Sequence, residues 1–529
     1  MSSYDPSSME YKITRIGDEQ STALTNDGSR NGDRKMYFQA ILDYNRIFKE
    51  VHDLNIMFLY NQEQYDINGP TTLFSSLPQR KQGVAGRVSY SYDGRYYIEG
   101  NFGYNGSENF AKGHRFGFFP SIAVGYNISN EKFWQPIKPV ISNLKIRGSW
   151  GLVGNDATNA GRFAYMEDLV LGGSDSYTTG IRQDTYYSGP SWNRYFNPDL
   201  TWEVGEKINL GLDLQLFNDF NLTFDIFREK RRDIFMTREN SIPEIVGTGE
   251  TKITSNNGEM ENKGLDLAID YNKQITKDFF LSFKSTLTFA RNKVLKMDEP
   301  PYFEYPGLSD VGHPLGTYWG YVADGLFPDQ ETIDNSPRQD LGYTPQPGDI
   351  KYVNQPNAKG EYDNVINSND RVAIGHPYDP ELVYGFGPSM KWKNWDFSFF
   401  FQGVARTSFM MYGMHPFGTT SIKNMLQFVA DDHWSVDNPN PNAAYPRLTK
   451  DSNGNNEQYS TYWLRNAAFL KLKNAEIGYT YKGMRFYLSG VNLLTFSPFK
   501  HWDPEMGGGN GLYYPTQRVF NIGFQMTIQ

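Results

Sequence analysis

Apolar and polar residues alternate along most of the chain with a period of two, the pattern of half-buried β-strands. In residues 208–216, which read INLGLDLQL, every second side chain is apolar. The positions that share the apolar face are Ile208, Leu210, Leu212, Leu214 and Leu216. The positions between them carry Asn209, Gly211, Asp213 and Gln215. This segment is therefore predicted to be a strand with one apolar and one polar face.

The same pattern recurs in neighbouring segments. Residues 220–226 alternate after the turn at Asn218-Asp219. Residues 265–271 alternate in the same way, and so does the segment that follows them, residues 281–289. Residues 384–392 are followed closely by residues 395–401, again with apolar side chains at every second position. The chain therefore reads as a series of antiparallel strand pairs.

The connections between the strands are of two kinds. Short turns are predicted at Asp93-Gly94, Asn218-Asp219, Lys393-Asn394 and Lys482-Gly483. Long polar connections rich in Gly, Asn and Pro are predicted at 154–200, 229–262, 291–380 and 402–467. The two kinds alternate along the chain, with one uncertain case at 127–142.

This alternation places all short turns at one end of the sheet and all long loops at the other. It predicts a transmembrane, antiparallel, up-and-down β-barrel of about 16 strands, with short periplasmic turns and long extracellular loops. A soluble sandwich has strands with the same two faces but no reason for this asymmetry. The last strand, at 518–528, runs toward the short-turn end, so the C-terminus is expected in the periplasm.

The two faces of these strands are expected to meet different solvents. The residues predicted to face lipid are Leu210, Leu212, Leu214, Leu265, Leu267 and Phe283. The residues predicted to face the barrel interior are Asp213, Asp225 and Asp266. Since a charge on the lipid face at mid-membrane costs about 2–4 kcal/mol, Leu212→Arg should impair assembly much more than Asp213→Arg.

Aromatic residues flank the short turns. Tyr90, Tyr92, Tyr96 and Tyr97 surround the turn at Asp93, and Trp392 and Trp395 surround the turn at Lys393. Rings that are apolar in body and polar at the tip form the girdles of membrane barrels at the interface. The alternative is ordinary cross-strand aromatic pairing, which occurs in any sheet.

Composition agrees with a strand-built membrane protein. The chain has 529 residues, of which 16% are aromatic, and its mean hydropathy is -0.60. It contains no apolar run long enough for a helical membrane span.

The cysteine count of zero excludes disulfides and thiolate sites, and the net charge of -9 disfavours a nucleic-acid partner. Residues 1–20 lack the basic and apolar regions of a signal peptide.

Several motifs in the same order resemble the C-terminal part of the SusC/RagA family of TonB-linked outer-membrane transporters of Bacteroidetes. They are RVSYSYDGRYYIEGNFGYNGSENF at 87–110, FGFFPSIAVGYNIS at 116–129, LKIRGSWGLVGND at 144–156, NKGLDLAI at 262–269, GTYWGYVADGLF at 316–327, PGDIKYVN at 347–354, DRVAIGHPYDPELVYGF at 370–386, YWLRNAAFLKLKNAEIGYT at 462–480 and LSGVNLLTFSPFKHWDPE at 488–505. The resemblance covers nearly all of the chain.

The resemblance implies a 22-stranded barrel with an internal plug. It also implies a SusD-like surface lipoprotein as a lid, import of glycans or peptides, and energy supplied through TonB. The chain is expected to be the C-terminal part, residues 1–529, without signal peptide, N-terminal extension, TonB box, plug and earliest strands. A first strand near 9–16 and the last strand at 518–528 would then both lack their barrel partners. The end at Gln529 departs from the aromatic C-terminus that is common in barrels.

Three segments offer residues for chemistry, and each has a structural explanation. Residues 347–371 contain spaced Asp and Asn like a degraded calcium loop, but the Gly and Glu positions do not fit. HWDPE at 501–505 offers His501, Asp503 and Glu505 in a Gly-rich loop, where zinc catalysis is disfavoured. Asp431-Asp432 are adjacent and cannot face each other across a sugar. No catalytic, cofactor or metal residues are therefore assigned, and no enzymatic activity is expected.

Carboxylates and tryptophans are the remaining candidates for ligand contact. Asp213, Asp225, Asp266 and Asp270 recur on one face, which must be wet or paired because a lone buried carboxylate is costly. Either a water-filled interior or ordinary solvent satisfies this. The long loops carry Trp192, Trp319, Trp434 and Trp463, whose rings either stack on sugars or pack the loops together.

Two other classes of protein remain open. One is a passive porin of about 16 strands that works without TonB. The other is a secreted all-β glycan-binding protein or glycosidase, which would be soluble without detergent. Solubility in the absence of detergent separates the second class from a membrane barrel.

Overall fold

The fold is described from a computed structural model. The residues that it describes are 2–5, 10–13, 32–70, 72–158, 161–172, 176–238, 240–246, 253–412, 426–449 and 452–526. The C-terminal residues Ile528 and Gln529, with the end of the predicted last strand, lie outside this set.

One antiparallel sheet of 15 strands forms the wall of the molecule. In chain order the strands are β1 (Gly32–Phe48), β2 (His52–Asn68), β3 (Gln79–Tyr92), β4 (Tyr96–Ser107), β5 (Phe116–Asn127), β6 (Ile141–Asn155), β7 (Glu203–Leu216), β8 (Phe220–Arg238), β9 (Ile253–Thr276), β10 (Phe279–Lys296), β11 (Leu382–Trp392), β12 (Trp395–Ala405), β13 (Phe469–Tyr481), β14 (Met484–Phe496) and β15 (Val519–Met526). Each strand pairs with its neighbours in the sequence, so the sheet is a pure meander.

Short strands and helices lie outside this sheet. The strands are Ser2–Asp5, Glu10–Ile13, Asp168–Val170, Ser176–Thr179, Thr185–Ser188, Ser191–Arg194, Tyr318–Gly320, Ala323–Leu326, Arg338–Gln339, Ile350–Tyr352, Val365–Ile366, Val372–Ile374, Ser408–Met410 and Leu464–Asn466. The α-helices are α1 (Leu73–Ser76), α2 (Gln330–Asp334) and α3 (Gln427–Asp431). The 3₁₀ turns are Ile128–Asn130, Lys132–Trp134, Glu244–Val246, Pro306–Leu308, Ser368–Asp370 and Pro504–Met506. None of the helices in the described part of the chain has the length and apolar character that a membrane crossing requires.

The predicted alternation of short and long connections is confirmed. The uncertain connection, 128–140, joins β5 to β6 at the short-turn end and contains two 3₁₀ turns. One predicted loop, 229–262, is mostly strand, because β8 continues to Arg238 and β9 begins at Ile253. The sequence did not reveal these extensions because 229–233 carries charges on both faces and 254–262 is mostly polar, so the apolar alternation is lost in both.

The predicted first barrel strand near 9–16 is wrong. Residues Glu10–Ile13 pair with Ser2–Asp5 in a separate two-stranded sheet, and residues 14–16 lie outside the described set. The large sheet begins instead at β1. Within the described residues β1 and β15 do not pair with each other, so the sheet is open at both edges.

The register confirms that the predicted apolar and acidic residues lie on opposite faces. Leu210 is paired with Ile226, which is paired with Leu265 and, beyond it, Phe289. The adjacent row, which points to the other face, runs from Gly211 through Asp225 and Asp266 to Thr288. We name the first the apolar face and the second the polar face.

Most of the turn-flanking aromatics lie on the apolar face, as a girdle requires. Tyr90 is in register with Ile98, and Tyr96 stacks on Tyr126 with ring centroids 5.0 Å apart. Trp392 and Trp395 are paired with each other on the same face. Tyr97 is the exception, since it points to the polar face beneath the Lys145 ammonium, 4.5 Å from the ring centroid.

Candidate functional site

Three of the long connections at one end of the sheet fold into a body with a common core. We call this body the loop module, and its described residues are 297–381, 406–412, 426–449, 452–468 and 497–518. Its buried apolar side chains come from all three connections and include Tyr352, Phe409, Tyr445, Trp463 and Phe499. The predicted irregular loops are therefore a structured unit with its own core.

A buried carboxylate, Asp349, joins two of these connections. Its Oδ1 accepts hydrogen bonds from Arg447 Nε at 2.7 Å, Asn456 Nδ2 at 2.8 Å and Asn453 Nδ2 at 3.0 Å. Its Oδ2 accepts one from the backbone N–H of Gln346 at 2.8 Å. Asp349 is 0% exposed. Such a group is stable only while all its partners are in place, so it fixes the geometry of the module.

A second set of buried polar groups lies beside the first. Gln339 Nε2 donates to the carbonyl oxygen of Ile350 at 3.0 Å, and Asn455 Nδ2 donates to the same oxygen at 2.9 Å. The Tyr352 hydroxyl donates to the carbonyl oxygen of Asn455 at 2.7 Å. Burial raises the pKa of Tyr352, which keeps the hydroxyl protonated and able to donate.

A cavity of about 320 Å³ adjoins the Asp349 cluster. Apolar atoms form most of the surface of its wall, and polar side chains stand among them, as in sites for small organic ligands. The residues that line it are Met411, Tyr412, Val429, Tyr445, Pro446, Arg447, Leu448, Thr449, Asn453, Asn456, Glu457, Gln458, Tyr459 and Trp463. Burial of Arg447 opposes its charge, but the contact with Asp349 outweighs burial and raises the pKa of the guanidinium.

The HWDPE segment attaches the third connection to the wall. Lys471, on β13 and fully buried, donates to Asp503 Oδ2 at 2.7 Å and to Glu505 Oε2 at 2.5 Å. Lys473 donates to Glu505 Oε1 at 3.0 Å. His501 stacks on Phe428, with ring centroids 4.2 Å apart. Burial lowers the pKa of His501. Both carboxylates are therefore engaged by lysines, and the segment has a structural role.

The other two candidate segments also use their oxygens in local structure. Asp370, near the end of 347–371, accepts hydrogen bonds from the backbone N–H groups of Gln355 at 2.7 Å and Asn367 at 2.8 Å. Burial raises the pKa of Asp370. Asp431 accepts from Gln427 Nε2 at 2.6 Å within α3. In the described ranges, no three His, Asp or Glu side chains gather as a potential metal site.

The four loop tryptophans divide between packing and surface. Trp434 and Trp463 are buried in the core of the loop module, as the packing interpretation requires. Trp319 Nε1 donates to Asp310 at 2.6 Å. Trp192, in a different connection, is partly exposed and stacks on Tyr195, with ring centroids 5.4 Å apart. Only Trp463 contributes to the cavity wall.

The acidic residues of the polar face are paired across strands. Arg147 donates to Asp225 Oδ2 at 2.6 Å and to Asp213 Oδ2 at 3.3 Å. Asp266 accepts from the Thr288 hydroxyl at 2.7 Å. Asp270 lies 3.9 Å from the Lys284 ammonium. The polar face is thus a hydrogen-bonded surface that suits contact with water or with other polar groups.

Sequence reasoning did not single out Asp349, Arg447 and Lys471. Asp349 lies within the PGDIKYVN motif and Lys471 within the YWLRNAAFLKLKN motif, but neither motif indicates by itself that these side chains are buried. Whether a charged side chain can be buried depends on partners that lie far away in the sequence. The only local signal is a charged residue inside an otherwise apolar run, as Lys471 is between Leu470 and Leu472.

Comparison with known sequences gives a single family. The family model described as "TonB dependent receptor-like, beta-barrel" matches residues 2–493. TonB-dependent receptor P3 of Formosa agariphila is 27% identical over 478 residues, which is 84% of this chain and 45% of that protein. TonB-dependent receptor SusC of Bacteroides thetaiotaomicron is 29% identical over 468 residues, which is 83% of this chain and 43% of that protein. The chain thus spans less than half the length of these relatives.

Comparison with solved structures agrees on the fold. The structure of the RagAB peptide transporter superposes with a TM-score of 0.72 at 20% identity, over 94% of this chain and 56% of that chain. The RagAB peptide importer in its "open-open" state gives a TM-score of 0.72 at 21% identity, over 96% of this chain and 56% of that chain. At this level of identity the likeness establishes the barrel architecture.

Proposed function

Since the chain belongs to the TonB dependent receptor-like β-barrel family, whose members are outer-membrane proteins, we propose that it forms much of the wall and the outer loops of a TonB-dependent importer. This is a family of receptors and transporters and not of enzymes, in agreement with the expectation that the chain catalyses no reaction. The observation that carries the proposal is the family match over residues 2–493.

The arrangement of the loops supports a role in import rather than a role as a membrane anchor alone. The loop module lies at one end of the meander, and the opposite end has tight turns apart from the connection at 128–140. A barrel with this asymmetry presents a built surface to the outside and a compact rim to the periplasm. The loop module, with its cavity, is then positioned where a substrate first arrives.

The open sheet is proposed to close with further strands. An unpaired sheet edge in lipid leaves a row of backbone groups without partners, and each costs several kcal/mol. The edge of β1 and the edge of β15 are such rows within the described residues. We expect strands from an N-terminal segment to close the barrel, together with the plug on which TonB acts. That segment is either continuous with this chain or supplied as a separate one.

The proposed substrate is an oligosaccharide or a short peptide, captured with a SusD-like surface lipoprotein. Peptides are proposed because the structurally similar RagAB is a peptide transporter, and oligosaccharides because the sequence motifs resemble the SusC/RagA family. Rings and amides in the cavity wall suit the C–H faces of sugars and equally the side chains of peptides. The SusD-like lipoprotein is proposed as a partner because the chain is similar to SusC and RagAB.

Uptake measurements test this proposal. The full-length protein, with its lipoprotein partner, should restore uptake of labelled oligosaccharides or peptides to a deletion strain. Uptake should disappear when tonB is deleted, while the barrel remains heat-modifiable on gels. Uptake that persists without TonB would favour a passive porin. Release as a soluble protein without detergent would favour a secreted glycan-binding protein, and turnover of the substrate would contradict a transporter.

A further inference from the structure

The apolar face ends in cations on three neighbouring strands. On β8 the last apolar position of this face is Ile226, and Arg228 follows it toward the long-loop end. On β9 Leu265 is followed in that direction by Lys263, and on β10 Phe289 is followed by Arg291. These cations therefore stand where the apolar wall meets the outer interface of the membrane.

The register brings the three cations side by side. Arg228 is directly opposite Lys263, and Lys263 is directly opposite Arg291. Like charges at directly opposed positions destabilise a sheet. A fourth cation, Arg406, lies at the same border, with its guanidinium 5.9 Å from the centroid of the Phe289 ring. We call Arg228, Lys263, Arg291 and Arg406 the cation band.

Two carboxylates hold the band together without neutralising it. Glu261 accepts from Arg228 Nε at 2.6 Å and lies 2.7 Å from the Lys263 ammonium. The Glu261 side chain is 12% exposed, whereas those of Arg228 and Lys263 are 51% and 60% exposed.

The second carboxylate repeats this arrangement. Glu381 lies 3.1 Å from Arg291 Nε and 2.6 Å from Arg406 Nε. The Glu381 side chain is 4% exposed, whereas those of Arg291 and Arg406 are 58% and 40% exposed. Within the band the two carboxylates are thus withdrawn behind the four cations, whose side chains are the exposed ones.

We propose that the cation band binds the phosphate headgroup of an outer-leaflet lipid. Arginine and lysine bind phosphate oxygens through charge-assisted hydrogen bonds, and such contacts are typical of membrane surfaces. The exposed apolar side chains of Leu210 and Ile226 lie directly below the band and would meet the acyl chains.

The surroundings favour a lipid over a soluble anion or an acidic protein. Trp150 lies in the same cross-strand row as Arg228, through Ile208, and its Nε1 donates to Glu206 at 2.8 Å. Exposed tryptophans next to cations at the end of an apolar face mark the headgroup layer. A soluble anion would need no adjoining apolar wall.

The experiment measures lipid binding to the full-length protein in nanodiscs. The discs contain phosphatidylcholine with either monophosphorylated lipid A or the same lipid without its phosphate, and bound lipids are counted by native mass spectrometry. We expect at least tenfold preferential retention of the phosphorylated lipid. The triple variant Arg228→Gln, Lys263→Gln, Arg291→Gln should lose this preference. A milder variant, Lys263→Gln, should reduce it about threefold, because Arg228 still engages Glu261.

A matched control removes cations at similar height on the opposite face. Lys207→Gln with Arg231→Gln should retain the preference, since both side chains belong to the polar face, where they contact Glu229. Three results would overturn the proposal. They are equal retention of both lipids by the unmodified protein, an unchanged preference in a correctly folded Lys263→Gln variant, and displacement of the lipid by millimolar inorganic phosphate, which would indicate a soluble-anion site.

Discussion

The sheet and the loop module are built on opposite principles. In the sheet each strand pairs with the neighbouring sheet strands in the chain, one for the edge strands β1 and β15 and two for the others, and alternation assigns each side chain to a face. In the loop module the buried groups come from segments far apart in the sequence, such as Asp349 and Arg447. The sheet therefore distributes its stability over many equivalent positions, whereas the module concentrates it in a few.

This difference predicts how each region responds to substitution. A change in the sheet should matter according to the face and depth of the residue, because the solvent on that face sets the cost. A change in the module should matter according to the partners that it leaves unpaired.

The largest effect is expected from Asp349→Ala. The variant leaves the partly buried Arg447 and the buried Asn453 and Asn456 without their common acceptor, which should destabilise the loop module by about 3–5 kcal/mol. Hydrogen exchange in the membrane-bound protein should show faster exchange across the module, with the barrel still heat-modifiable.

Asp324→Ala is the matched control for that experiment. Asp324 pairs with Lys351 at 2.9 Å in the same connection, but its side chain is largely exposed. Exposed ion pairs contribute about 0–1 kcal/mol, so exchange should change little. Equal exchange rates in the Asp349 and Asp324 variants would contradict the view that a few buried residues supply most of the stability of the module.

The next effect concerns the faces of the sheet. Leu212→Arg places a charge in the middle of the apolar face and should cost about 2–4 kcal/mol, impairing barrel assembly. The structure sharpens the choice of control. Because Asp213 contacts Arg147, the Asp213→Arg variant would place two arginines together and add repulsion. Thr223 lies opposite Asp213 on the polar face, so Thr223→Arg introduces the same charge without that repulsion. The fraction of heat-modifiable protein should fall for Leu212→Arg and not for Thr223→Arg. Similar losses in the two variants would contradict the assignment of the apolar face to lipid.

Acidification should loosen the contact between the two regions. Burial opposes the charges of Asp503 and Glu505, but hydrogen bonds from Lys471, with help from Thr516 and Lys473, outweigh burial and hold both pKa values below their ordinary 3.8 and 4.5. Folding therefore favours the ionised forms, so their contribution is complete above about pH 5 and is lost as pH falls through the lowered pKa values.

Proteolysis of the 497–518 connection measures this loss. Cleavage should be steady from pH 7 to 5 and should rise below pH 4. The double variant Asp503→Asn, Glu505→Gln should be cleaved readily throughout and show a flatter pH profile. A variant with the same steep rise below pH 4 would show that other groups are responsible.

The smallest effect is expected at the cavity. Tyr459→Ala removes one ring from its wall and should weaken substrate binding about tenfold, equivalent to ~1.4 kcal/mol. Tyr362→Ala removes an exposed ring of the same module that does not line the cavity and should leave affinity unchanged. Titration of the purified transporter with labelled substrate compares the two. Equal affinities of the two variants would show that the cavity is not part of the substrate-binding site.

The sheet was largely predictable from the sequence because its determinants are local. The face of Leu212 and the turn at Lys393-Asn394 follow from a few neighbouring residues. The predictions were wrong where the alternation of apolar and polar residues is lost. This is so in the polar extensions of β8 and β9 and in the separate pair of strands at residues 2–5 and 10–13.

The candidate site was not predictable to the same degree. HWDPE was identified as structural, but its lysine partner on β13 lies 32 residues from Asp503. Asp349 and Arg447 are separated by 98 residues, and no periodicity connects them. Burial of a charged side chain is decided by such distant partners, so it becomes visible only in the folded chain.

The Asp349–Arg447 contact also sets an order of events during biogenesis. The two residues are 98 positions apart, and the segment between them includes both strands of the β11–β12 hairpin. The sheet can grow one hairpin at a time because each pairing is local, whereas closing a long chain segment is entropically costly until its ends are held close. The loop module is therefore expected to mature last, after β11 and β12 have entered the wall, so that the outward surface becomes competent only on a barrel that has already been built.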